Sequence, residues 1–179
     1  MRSVHASFPR AKLYGTARHG TELVDLPWEP LLTEEATLHE LFRDDFGFSV
    51  PRGVDFIPAH ANLHFASVLT FHHASKTLHV DDTLLCIPLP WPLRLFKTDI
   101  TRLHPTLGAV LERRKGAVAD FRAWAGEVVE RSRDVRNLCA AHSTSLLATT
   151  NAGASVASRI EAAVRDVEGK LVAHERKYG

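Results

Sequence analysis

The 179-residue sequence has little cysteine, only Cys86 and Cys139, and neither belongs to a Cys-x-x-Cys pair. Two such thiols give no disulfide framework and fit a reducing compartment. Excess charge of either sign is also missing: 22 basic against 21 acidic side chains leave a net charge of +1. Nothing in that balance drives binding to a phosphate backbone, so no nucleic-acid partner is expected. No stretch approaches the roughly 20 apolar residues of a membrane span, and the opening residues Met1 to Pro9 lack the apolar core of a signal peptide. The expected location is the cytoplasm, with no membrane partner. The chain carries no Gly-x-Gly-x-x-Gly, no phosphate loop and no Gly-x-Ser-x-Gly elbow. It shows no internal repeat or low-complexity tract either. Trp28, Trp91 and Trp124 are too scattered for a base-stacking platform.

What is present is concentrated between residues 60 and 82. Five of the 11 histidines fall there, at His60, His64, His72, His73 and His79, and the stretch closes on Asp81-Asp82. Two apolar runs, Ala66 to Phe71 and Thr77 to Val80, are joined by Ala74-Ser75-Lys76 and read as a hairpin. Imidazole and carboxylate suit zinc and other first-row divalent metals.

The rest of the chain frames this hairpin. Ala11 to Tyr14 reads as a short strand with no evident partner, and residues 25–32, with Pro27 and Pro30, as a non-helical connection. A short helix is expected over Glu34 to Phe42 with Thr33 as its cap, then a break over Gly47 to Gly53 and a strand over Val54 to Ile57. Leu84 to Phe96, broken by Pro88, Pro90 and Pro92, reads as an extended surface segment. Lys115 to Ser132 carries Val118, Phe121, Trp124, Ala125, Val128 and Val129 at helical spacing. Leu138 to Ala141 reads as a strand ending on His142, Thr149 to Gly153 as a turn, and about Ser155 to Lys177 as one final helix. At 45% hydrophobic and 24% charged residues, the chain is expected to form one globular domain over 1–179.

Position separates the candidate ligands. His72 and His73 are adjacent, so in a strand they leave on opposite faces and cannot serve one site. His79 lies mid-strand, as a solvent-facing or supporting residue. His64, with His60 as fallback, lies where a strand begins; Asp82 and His142 lie where strands end, positions from which a side chain reaches a cleft. The plainer readings stand beside this one: His142 capping a carbonyl, Asp82 capping the turn that follows it, and Cys139 as a small buried hydrophobe.

The order His64, Ser67-Val68-Leu69-Thr70-Phe71, Lys76-Thr77-Leu78-His79-Val80, Asp82-Thr83-Leu84 and a later strand ending on His142 resembles the second half of a metallo-β-lactamase-fold hydrolase. Phe8 to Thr16 is similar to the strand that follows that family's first metal motif. The resemblance implies an α/β fold, a partial αββα sandwich. It also implies metal ligands at His64, Asp82 and His142, with His60 and His79 as alternative or supporting groups. One or two zinc, iron or manganese ions and a small-molecule substrate follow from it. The family's His-x-His-x-Asp-His signature is absent from the 179 residues. The chain is accordingly expected to be the C-terminal portion of such a fold, with weak metal binding and little or no turnover. The alternative is a non-catalytic metal-binding or interaction module, associating with a second copy through an open sheet edge. An ordinary α/β domain without metal is the third reading.

Overall fold

The computed structural model describes residues 1–58, 63, 65–92, 99–141, 143–149, 151 and 153–179. Its central sheet has four strands in the order β3 (Phe46–Ser49), β4 (Leu69–His72), β5 (Thr77–Asp81) and β8 (Asn137–Ala140). The expected hairpin forms: β4 and β5 are antiparallel, with Phe71 opposite Leu78, and the turn leaves Lys76 at φ 51°. Alternation divides the faces. Leu69 and Phe71 of β4, and Leu78 and Val80 of β5, are buried, whereas His79 and Asp81 are exposed. β8 runs parallel to β5, Leu78 opposite Leu138, after a connection containing β6 (Leu84–Pro88), β7 (Asp99–Leu103), α4 (Leu107–Val110) and α5 (Ala117–Arg131).

α5 covers the buried face. Val118, Phe121, Trp124, Ala125 and Val128 point inward as their spacing requires, and the Trp124 indole N–H donates to Ser49 Oγ at 2.9 Å. The core is continuous from there through Leu103, Leu107 and Val110 to Val156, Ile160, Ala163 and Leu171 of the C-terminal helices. α5 therefore joins the hairpin to those helices.

The β3 edge of the sheet is partly occupied. Arg131 donates from Nη1 to the Phe48 carbonyl at 2.7 Å and lays its guanidinium 4.3 Å from the centroid of the Phe71 ring. Gly47 makes room for it, because a Cβ there would come within 2.5 Å of Arg131 Nη2. An arginine on an edge carbonyl blunts strand addition.

Several expectations need correction. Residues 47–53 do not simply break the pattern, since Phe46–Ser49 is a strand. Val54 makes one bridge, to Leu111, in place of a strand to Ile57. The strand near residue 13 has a partner: β1 (Leu13–Gly15) runs parallel to β2 (Trp28–Leu32), where a loop was expected, and a short helix α1 (Arg2–Ser7) precedes it. The first helix of moderate apolarity, α3 (Ala36–Leu41), is entered from Glu35 rather than capped by Thr33. Leu84–Pro88 is a strand paired with β7 and buries Leu84 and Cys86, so the first part of the proline-rich segment belongs to the core; residues 93–96 lie outside the described residues. The final helix is two, α6 (Val156–Asp166) and α7 (Glu168–Tyr178), parted at Val167. The architecture is mixed α/β, in sheets of two, four and two strands among the described residues. No helix of the described residues is long and apolar enough to cross a membrane.

Candidate functional site

The C-terminal end of β5 opens into a cavity of about 310 Å³ lined by Asp81, Asp82, Ser67, Phe65, Thr16, Arg18, His19 and Glu22 among others. The strand ends irregularly here. The β5–β8 register shifts between His79 and Asp81, and Asp81 takes a left-handed φ of 44°. A non-glycine residue in that region is held by its surroundings at some cost. Ser67 Oγ donates to Asp81 Oδ2 at 2.9 Å, and the Asp81 carbonyl accepts from the Ala141 N–H at 3.1 Å. Asp82 then turns inward and is 9% exposed. Thr83, fully buried, donates from Oγ1 to the Phe65 carbonyl at 2.8 Å. Two hydrogen bonds thus tie the Asp81–Thr83 corner to the residue after His64 and to the residue before His142.

Of the sequence-derived ligands, Asp82 is at this cavity. His60, His64 and His142 lie outside the described residues. His79 is on the open face of β5, opposite Thr70, and does not line the cavity. Among the described residues no three His, Cys, Asp or Glu side chains form a group that would hold a metal.

The far wall of the cavity was not anticipated from the sequence. It comes from the short helix α2 (Ala17–Glu22), entered through Thr16, whose hydroxyl accepts from the His19 N–H at 3.4 Å. In return the Thr16 N–H donates to His19 Nδ1 at 3.1 Å. Because Nδ1 is the acceptor in that bond, the neutral His19 ring carries its proton on Nε2. Arg18 pairs with Glu22 at 2.8 Å and reaches the Leu63 carbonyl at 3.2 Å, which fixes α2 against the chain entering β4. Thr-x-x-His is a poor match to the usual Thr-x-x-Glu capping pattern, so the sequence signal for this helix is weak.

Two titrating groups outside the cavity, His79 and Cys86, have displaced pKa values. Partial desolvation of the ring against the sheet, although the residue is exposed, and next the neighbouring His72 imidazole lower that of His79. Burial pushes the Cys86 thiol up to about 11, so it stays protonated and unreactive at neutral pH. For His79 the native state binds a proton less readily than the unfolded chain. Its contribution to stability is therefore complete above about pH 6.5, the ordinary imidazole value, and is lost as the pH falls through the lowered folded value. Urea denaturation from pH 7.5 to 5 is expected to show this decline and His79→Gln to reduce its slope. An identical pH dependence in both proteins contradicts the assignment.

No family model, curated protein or solved structure matches this chain.

Proposed function

We propose that the chain is a metal-dependent hydrolase built on the second half of a metallo-β-lactamase-like αββα sandwich, with His64, Asp82 and His142 as its metal ligands. One observation carries this reading. Asp82 sits at a strand end where its neighbour Thr83 is bonded to Phe65, one peptide from His64, and its other neighbour Asp81 to Ala141, one peptide from His142. Phe65 and Ala141, the sequence neighbours of His64 and His142, are thereby bonded to the Asp81–Thr83 corner of the sheet.

The donor set fits the group. Two imidazoles and a carboxylate suit zinc, iron or manganese. At 9% exposure the Asp82 carboxylate has lost most of its water, and at that depth such a group is held by a cation or by hydrogen-bond donors. A metal held there supplies a water acidified towards neutrality and polarises the bond to be cleaved. The chain's own part is to hold the ligands: Thr83 and Ala141 fix the backbone on either side, and Ser67 orients Asp81. His19 lines the same cavity, and its Nε2–H is the donor it would offer a substrate oxygen.

The second reading, a non-catalytic metal-binding module, shares this site and differs in turnover. It is favoured by the absence of His-x-His-x-Asp-His from the sequence. Titration with zinc tests what the two have in common. Wild type is expected to bind one ion per chain. Asp82→Ala, His64→Ala and His142→Ala are each expected to lower the affinity by on the order of 100-fold or more, the loss of one of three protein ligands. Unchanged zinc binding in all three variants defeats the proposal, and zinc-dependent hydrolysis of an ester, amide or phosphodiester, even if slow, selects the hydrolase over the module.

A further inference from the structure

A second cavity, about 710 Å³ in volume, abuts the first. Its walls are Tyr14, Leu38, Leu41 and Phe42 on one side and Phe46 and Phe48 of β3 on the other. Ring contacts set these walls: Tyr14 meets Phe42 edge-on at 5.3 Å, and Phe48 stacks on His39 at 4.8 Å. Leu41 is 59% exposed, an apolar side chain on the rim. Thr33 and Thr70 line this groove and the Asp81–Asp82 cavity alike. Both are fixed in place. Thr33 donates its N–H to the Gly15 carbonyl at 3.0 Å and its carbonyl meets His39 Nε2 at 2.8 Å, while Thr70 is paired between Phe48 and His79. Threonine carries a hydroxyl and a methyl on one carbon, which suits a boundary between a polar and an apolar compartment.

We infer that the two cavities form one binding site for an amphipathic small molecule, its polar reacting head beside Asp81 and Asp82 and an alkyl or aryl tail along the Leu41–Phe48 groove. The inference rests on the reading of the Asp81–Asp82 cavity as the reacting site and adds the class of substrate. The volume falls within the range of small-molecule sites, and an apolar wall with few polar groups is their usual lining. Continuity through Thr33 and Thr70 makes the occupant a tail attached to a head, rather than a separate ligand. The head is neutral or metal-seeking, because Glu22 is paired with Arg18 and the remaining carboxylates, Asp81 and Asp82, repel a free anion.

The test uses straight-chain hydroxamic acids from acetohydroxamic to octanohydroxamic, whose head is neutral and chelates metals, titrated with and without zinc. Affinity is expected to rise about threefold per added methylene, and octanohydroxamate to shift the backbone amide signals of both Leu41 and Ser67. Leu41→Asp, at an exposed position that tolerates substitution, is expected to weaken octanohydroxamate at least about tenfold and leave acetohydroxamate unchanged. Leu147→Asp, at another exposed apolar position, is expected to change neither. Affinity independent of chain length overturns the inference, as does binding that shifts groove amides while Ser67 and Asp81 stay silent. So does Leu41→Asp altering sedimentation with no effect on the probes, which makes this face a contact between copies. Zinc separates the two proposals. Chain-length dependence without any zinc effect leaves the two-compartment site standing and removes the metal. A zinc effect on acetohydroxamate without chain-length dependence does the reverse.

Discussion

Gly53→Ala is expected to destabilise the protein by about 2–5 kcal/mol, the sum of a left-handed backbone penalty and local overpacking. Gly53 has φ 71°. A Cβ there would overlap the Ala117 carbonyl oxygen and lie 2.9 Å from the Phe121 nitrogen, both in the backbone of α5. No rotamer relieves a clash with backbone, so either the helix or the 53–54 segment must move. The position matters because its carbonyl accepts from the Glu112 N–H at 3.1 Å and Val54 bridges to Leu111. Those contacts seat the start of α5, which carries Phe121 and Trp124 into the core. Urea denaturation measures the effect. Gly126→Ala is the control: it lies in the same helix with nothing within 4 Å of a new Cβ, and is expected to be neutral or stabilising by up to about 1 kcal/mol. A Gly53→Ala protein within about 0.5 kcal/mol of wild type contradicts this account of the packing.

Asp99→Ala is expected to cost about 3–5 kcal/mol, as for removing one partner of a buried ion pair. Asp99 on β7 pairs with Arg159 on α6, and their side chains are 14% and 7% exposed. Arg159 also donates from Nε to Asn151 Oδ1 at 3.0 Å. A guanidinium at that depth keeps its charge when the carboxylate is removed and cannot recover its hydration. The surface pairs are a different case. Arg122 with Glu168 and Glu175, or Arg52 with Glu127, are half in solvent and contribute little. Replacing both buried partners by apolar residues, as in Asp99→Leu with Arg159→Met, is expected to recover most of the loss. A double variant no more stable than Asp99→Ala shows that the pair itself holds α6 to β7. A single variant costing under about 1 kcal/mol places it in solvent.

The hairpin and α5 were legible in the sequence for simple reasons. Leu69, Phe71, Leu78 and Val80 alternate with polar neighbours, and Val118, Phe121, Trp124, Ala125 and Val128 repeat at helical spacing. The strand at Leu138 was also readable, with its partner β5 set by burial of Leu138 against Leu78. β3 was not. Phe46-Gly47-Phe48-Ser49 carries a glycine whose reason is Arg131, from the end of a distant helix, and no local pattern announces that contact. β2 was hidden by Pro30, which an edge strand tolerates on its exposed side. The division of the last helix at Val167 is marked only by Gly169, two residues on, a lone glycine that a helical pattern tolerates.

The site was half legible for a related reason. Asp82 stands at the end of an alternating run, so its place at a strand terminus follows from the pattern. The α2 wall depends on Thr16 and His19 bonding to each other and on Arg18 reaching across to residue 63, interactions between polar side chains that periodicity does not record. The apolar groove was invisible because Tyr14, Leu41 and Phe48 come from three elements, each too short to show a face of its own.

The most direct measurement is anomalous scattering from crystals grown with zinc, recorded on both sides of the zinc absorption edge. The expected result is a peak at coordinating distance, about 2.0–2.2 Å, from the Asp82 carboxylate and from one imidazole nitrogen each of His64 and His142. A strong peak bound elsewhere on the chain, or none near Asp82 at saturating zinc, contradicts the proposal that these three residues make one site.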